Sequence, residues 1–380
     1  MKNRLLILLL LPVLLAGCKI YVARSIVYND PGINDNKIMP VRKVKTGKPL
    51  ALCTSPNCST CVIPDSLKRV LKKTGTVAFL VIKNDTVVYE SYARGYSDSS
   101  LTNPFSVTKS IVSVLTGIAL KEGKIKSLDE PVCDYYAPYQ KDGLNKITFK
   151  NLLCMSSGVN YHDSYLSPFG QTAQIYYGND VRKLINSFSI EKQPGTVFRY
   201  KNCDPEILTI ALQNAVGMNM SDYASEKLWK PIGAEHEAQW IVDRPGDNGI
   251  EKSYCCFHTD ARDLARIGML YEHSGNWNGQ QIVDSSYVKA SLTPHHLLSE
   301  EEGKITNNNG YLWWIRGGDP AKDFSADGLK GQYISVLPEK HLIFVRLGKR
   351  DWLKRNERFK KHKTKSLYNI IKNNVIAIWG

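Results

Sequence analysis

Ser106 and Lys109 stand three residues apart in Phe105-Ser106-Val107-Thr108-Lys109. On a helix that spacing puts a hydroxyl and an ammonium one turn apart on the same face. If burial lowers the lysine pKa, the amine can hold or take the serine proton, which makes Ser106 a candidate nucleophile and Lys109 its activator. Ile111, Val112, Leu115, Ile118 and Ala119 recur at helical spacing and Gly123 offers a left-handed stop, so the pattern predicts a buried helix over Ser106 to Lys121. Ser106 would open that helix just after Pro104, where unpaired N–H groups and the positive end of the dipole favour a developing oxyanion.

Two further stretches carry chemistry. In Phe198-Arg199-Tyr200-Lys201-Asn202, a loop between Pro194-Gly195 and the helix start Asp204-Pro205, a phenol beside an ammonium can act as general base to the serine and then as acid to the leaving group. Tyr200 is the candidate. In Phe324-Ser325-Ala326-Asp327-Gly328-Leu329-Lys330-Gly331-Gln332 the glycines allow a substrate backbone to come close, and an N–H there would supply a second oxyanion donor.

The elements that must position these residues read as an α+β domain. Val77 to Ile82 and Thr86 to Tyr92 are strand-like around a hairpin at Lys83-Asn84-Asp85, and strands return at Tyr311 to Ile315, Tyr333 to Leu337 and Leu342 to Leu347. Between them the pattern is mostly helical, with starts at Thr148, Asp204-Pro205 and Thr259-Asp260, and an apolar helix near Leu367 to Trp379 closes the chain. Two early strands and three late ones predict an antiparallel sheet of about five strands, closed by both chain ends around a large helical insertion.

The net charge of +14 is uneven, half of it lying in Lys349 to Lys365. No finger spacing or aromatic-interleaved basic stripe accompanies that patch, which argues against nucleic acid as a partner. Lys2 and Arg4 precede the apolar run Leu5 to Leu15, which is too short to span a bilayer. The following Leu15-Ala16-Gly17-Cys18 resembles the bacterial lipoprotein signal. The expected organisation is a signal peptide over 1–17, a tether over 18–62 beginning at an acylated Cys18, and a hydrolase domain over 63–380, tethered to a membrane surface of the bacterial cell envelope as a periplasmic or outer-membrane lipoprotein. Among Cys53, Cys58 and Cys61 a local disulfide is expected in preference to a metal site, and Cys154 and Cys203 read as small buried hydrophobes.

The order Ser-x-x-Lys, Tyr-x-Asn, Gly-x-x-Gly-Gln resembles the serine β-lactamase and penicillin-binding-protein superfamily, nearest to its class C-related branch with esterases and 6-aminohexanoate-dimer hydrolases. Leu152-Leu153-Cys154-Met155-Ser156-Ser157-Gly158 and Thr259-Asp260-Ala261-Arg262-Asp263-Leu264-Ala265-Arg266-Ile267-Gly268 are similar to two structural segments of that family. The resemblance implies an acyl-enzyme on Ser106, assistance from Lys109, base and acid roles for Tyr200, and substrate or lysine orientation by Asn202. It implies an oxyanion hole from the backbone N–H groups of Ser106 and of Leu329, beside Gly328, and it implies pocket roles for Tyr165 and for Trp314 of the pair Trp313-Trp314. Substrates would be small amides, esters or short peptides, with no metal or cofactor. The family's basic residue at the third motif is replaced by Ala326-Asp327-Gly328, which weakens the alternatives of a β-lactamase or D-alanyl-D-alanine carboxypeptidase. A non-catalytic penicillin-binding or sensing lipoprotein is the other alternative.

Overall fold

The computed structural model describes residues 20–28, 30–164, 167–352 and 363–380, so the expected signal peptide over 1–17, Cys18 and Tyr165 lie outside the described residues. Strands β1 (Thr76–Lys83) and β2 (Thr86–Tyr92) form the expected hairpin. Asn84 and Asp85 both take positive φ (48° and 59°), the two-residue turn whose twist matches the strands it joins. Late in the chain come β3 (Trp314–Ile315), β4 (Phe324–Gly328), β5 (Gln332–Leu337) and β6 (Leu342–Gly348). They complete an antiparallel sheet in the order β3-β4-β5-β6-β1-β2, with Phe344 opposite Val81. The sheet is one strand larger than expected because β4, the glycine-bearing stretch not counted among the five strands, pairs along its length with β5. The expected strand Tyr311 to Ile315 shrinks to two residues, and Leu312 just before it has φ 61°.

Both faces of the sheet are covered, which is why β1 and β6 are apolar almost throughout. Phe79, Val81, Leu342 and Phe344 point to one side, against Leu67 and Leu71 of α2 (Asp65–Lys73) and against Leu367, Ile371 and Val375 of α7 (Lys363–Trp379). The residues between them, Ala78, Leu80, Ile343 and Val345, join the main core on the other side. That core also takes α3 (Val107–Lys121), α5 (Cys203–Val216) and α6 (Ala261–Glu272). Helix α6 lies close on the sheet because Gly268 has no side chain; a Cβ there would stand 3.1 Å from methyls of Ile334 and Ile343. The Asp260 carboxylate caps α6 by accepting from the Asp263 N–H at 2.9 Å, and α5 stops at Gly217 in the left-handed conformation (φ 74°).

Much of the stretch expected to be a tether is laid into the body. Helix α1 (Ile20–Tyr28) rests on α4 (Gln171–Tyr177), and Val41–Val44 pairs antiparallel with Ala238–Ile241, burying Val44 completely. The cysteine expectation is also corrected. Cys53, Cys58 and Cys61 are unbonded, since Cys53 is exposed along the edge of β2 while Cys58 turns into the core. The disulfide among the described residues joins the neighbours Cys255 and Cys256. Cys154 and Cys203 are buried thiols, as expected. Among the described residues no helix is long and apolar enough to cross a membrane.

Candidate active site

Ser106 sits at the N-cap of α3, where its side chain makes no capping hydrogen bond. The hydroxyl is therefore available for other work. Phe105, just before it, is buried with φ 48°, a conformation that a bulky residue adopts only when the surroundings hold it. Asn103 does the holding. Its Oδ1 accepts the Phe105 N–H at 2.8 Å and the Cys256 N–H at 3.1 Å, tying the serine turn to the Tyr254–Cys256 segment.

One turn into α3, Lys109 is 2% exposed. Its Nζ donates to Ser106 Oγ at 3.0 Å, to Asn202 Oδ1 at 2.9 Å and to the Tyr254 carbonyl at 2.6 Å. Burial pulls the Lys109 pKa down to about 7, with Asp163 and Glu206 opposing the shift through their charge. The amine also lies 5.1 Å from the centre of the Tyr200 ring. Tyr200 stacks on Trp314 at 5.7 Å with 23° between the rings, and both line a narrow slot with Ser106 and Lys109. Trp313 points the other way, into the core against Tyr271 at 4.4 Å, so the tryptophan pair divides between site and core.

The loop carrying Tyr200 and Asn202 rests on a buried polar group that sequence reasoning did not assign. Lys201 Nζ donates to Ser157 Oγ at 3.0 Å, and Ser157 Oγ donates to Asp204 Oδ1 at 2.7 Å. All three are almost fully buried. The segment Leu152 to Gly158 thus holds the chain after Tyr200 through Ser157 and the chain before it through the Met155 carbonyl, which accepts the Arg199 N–H at 3.0 Å. Asp163 was also missed. Its Oδ1 accepts the Asn202 amide at 2.7 Å, which leaves the Asn202 carbonyl oxygen to face Lys109. A lone aspartate in an irregular loop gives no periodic signal, and the Tyr254 carbonyl is backbone, invisible to any motif.

Across the site, Gly328 and Leu329 end β4 beside the serine, and Leu329 and Ser106 line the same recess. A Cβ on Gly328 would lie 2.1 Å from the Pro104 carbonyl oxygen. Gly328→Ala is therefore expected to push this strand end away from the serine turn and lower kcat/KM for ester hydrolysis by about 10- to 100-fold, at a stability cost of about 1–3 kcal/mol. Steady-state kinetics with a melting curve checks both. Asp327 is paired with Arg316 and accepts from Ser325 Oγ at 2.8 Å, so its charge is already compensated. Lys330 lies in the turn after β4 (φ 66°) with its Nζ 3.2 Å from Asp30 Oδ2 and donating to the Pro31 carbonyl, so its charge is already engaged.

The structure thus gathers Ser106, Lys109, Tyr200, Asn202, Gly328, Leu329 and Trp314 into one site. A solved structure of a putative 6-aminohexanoate-dimer hydrolase from Bacillus anthracis superposes with a TM-score of 0.76 at 22% identity, covering 90% of this chain and 92% of that one. A putative beta-lactamase from Bacteroides dorei DSM 17855 superposes with a TM-score of 0.68 at 18% identity, over 82% and 98%. In sequence, the 6-aminohexanoate-dimer hydrolase of Paenarthrobacter ureafaciens is 24% identical over 305 residues, 75% of each protein. Residues 67–363 match the Beta-lactamase family model, and the chain belongs to that family of hydrolases.

Proposed function

We propose that the protein cleaves amide or ester bonds of small molecules through an acyl-enzyme on Ser106. The observation that carries this reading is the buried Lys109 amine in hydrogen-bond contact with the Ser106 hydroxyl at 3.0 Å. Ser106 Oγ attacks the substrate carbonyl carbon while its proton passes into the Lys109–Tyr200 pair. The carbonyl oxygen gathers the negative charge opposite the N–H groups of Ser106 and Leu329. The C–O or C–N bond then breaks, and Tyr200 returns the proton to the departing alcohol or amine. Water adds to the ester on Ser106, releasing the acid and restoring the hydroxyl.

The relatives named for 6-aminohexanoate dimers support an amide as one substrate type. The β-lactamase or carboxypeptidase alternative is less well supported, since Arg316, a basic group in contact with the third motif, is spent on Asp327. An acylated Cys18, and with it the cell envelope as location, belongs to the same proposal and is supported by the Leu15-Ala16-Gly17-Cys18 box.

The test is the intact mass of the soluble form lacking residues 1 to 18 after exposure to a fluorophosphonate. One adduct, located by peptide fragmentation on Ser106, is the expected result. An unlabelled protein, or an adduct on another serine, would overturn the reading.

A further inference from the structure

Ser106 lines one recess directly and reaches a second, of opposite character, through the narrow slot walled by Tyr200 and Trp314. One is a cavity of about 360 Å³ whose walls include Phe105, Pro168, Tyr176 and Tyr177. The other is a cleft of about 890 Å³ beyond Tyr200 and Trp314, lined by both acidic and basic side chains, among them Glu302, Arg316 and Lys372. Among the described residues, the smaller cavity is lined by no Asp, Glu, Lys or Arg. The carboxylates that come near it are already engaged behind the wall. Asp35 accepts from Tyr176 Oη at 2.6 Å and from the Gly32 N–H at 2.9 Å, and Asp163 accepts from Asn202 and Thr172.

Proton delivery decides which half of a substrate goes where. Tyr200 gives its proton to the leaving group, so the leaving group lies on the Tyr200 side, in the polar cleft. The acyl group is left with the uncharged cavity. A charged terminus there would lose its hydration and gain no partner.

The outer wall of that cavity is unusual in origin. It is built by α1, through Ser25 and Ile26, and by Pro31, all ahead of the region 67–363 that matches the family. Helix α1 is fixed to the body beside the cavity: Arg24 Nη1 donates to the Tyr177 carbonyl at 3.1 Å, and the Tyr28 and Tyr177 rings stack at 6.3 Å. Ile26 remains half-exposed at the rim.

We infer that the N-terminal helix is a specificity wall that makes this enzyme select uncharged, apolar acyl groups and reject acyl groups ending in an ammonium or carboxylate, while polar leaving groups are accepted in the cleft. This rests on the acyl-enzyme reading for the direction in which the substrate lies.

The test compares p-nitrophenyl hexanoate with p-nitrophenyl 6-aminohexanoate, which share a leaving group and chain length and differ by one ammonium. Hexanoate is expected to be favoured at least about 100-fold in kcat/KM, and rates should rise about two- to fourfold per methylene from acetate to hexanoate. Ile26→Asp, which offers the ammonium a partner at the rim, should shrink the preference at least about tenfold. Val27→Asp, a neighbouring and more exposed position on the same helix that does not line the cavity, should leave the ratio where it was. Equal turnover of the two esters, or a ratio indifferent to Ile26→Asp, overturns the inference while leaving the acyl-enzyme intact. Binding of the same two esters to the Ser106→Ala protein separates the other case. A preference for hexanoate there, in a protein whose parent takes no fluorophosphonate, would sustain the apolar cavity and sink the mechanism instead; equal binding would sink the cavity assignment whatever the parent does.

Discussion

Replacing Ser106 with alanine is expected to lower kcat/KM for p-nitrophenyl ester hydrolysis by about 10⁵-fold while leaving the melting temperature almost unchanged. The two halves of that expectation have separate grounds. Activity falls because Ser106 Oγ, held 3.0 Å from the Lys109 amine, is the proposed nucleophile. Stability is spared because the Ser106 side chain does not cap α3, so its loss costs the helix no N-terminal hydrogen bond. Lys109 also keeps Asn202 Oδ1 and the Tyr254 carbonyl as acceptors in the variant. Residual activity above about one tenth of the parent would mean that a different group carries the acyl transfer. A large drop in melting temperature would mean that the serine is part of the scaffold.

Lys109→Met should cost about 10²- to 10⁴-fold in kcat/KM, the range associated with losing a positioned proton-transfer group. The lysine also predicts a pH profile. With its pKa lowered to about 7 by burial, Lys109 is mostly neutral above that pH and mostly protonated below it. Only the neutral amine can accept the Ser106 proton, so kcat/KM of the parent should rise with pH through about 7 and then level. Stability should respond in the same direction but over a different window. In the unfolded chain this lysine titrates near its ordinary value of 10.5, so between about 7 and 10.5 the unfolded state binds more protons than the folded one. Stability of the parent relative to Lys109→Met should therefore increase as pH climbs through that window, while below about 7 the full cost of a buried ammonium remains. Paired melting curves at pH 6 and pH 9 measure the difference. A parent whose rate is flat from pH 5 to 9 would show that Lys109 stays charged throughout and acts only by its field.

Local signals in the chain were enough to find the serine helix and much of the site around it. Helical spacing from Ile111 to Ala119 and the stop near Gly123 placed α3, and Asp204-Pro205 with Gly217 placed α5 almost to the residue. Such features depend on neighbours three or four positions away, and a single sequence contains them. What escaped depends on partners far along the chain. β4 mixes Ser325 and Asp327 into its alternation because Arg316, from the neighbouring segment, pairs with the aspartate. The segment over 30–62 looks irregular because its order comes from pairing with Ala238–Ile241. Asn202 was found, but Asp163, which sets the direction of its amide, was not. The cysteines misled for a related reason. Proximity in sequence at Cys53, Cys58 and Cys61 suggested a bond, yet Cys53 lies exposed along the edge of β2 while Cys58 is buried, and all three thiols are free.

The strand order of the main sheet has a consequence in time. β4, which brings Leu329 beside Ser106, is held by β5, β5 by β6, and β6 pairs with β1 from the opposite end of the catalytic region. Closing that long loop is entropically slow. On the proposed mechanism, a refolding chain is expected to form its helices, and with them to set Ser106 and Lys109 one turn apart, before it forms the oxyanion hole. On that mechanism Ser106 becomes competent only when the two ends of the domain have met, and a truncated or half-folded molecule would carry the nucleophile without the means to use it.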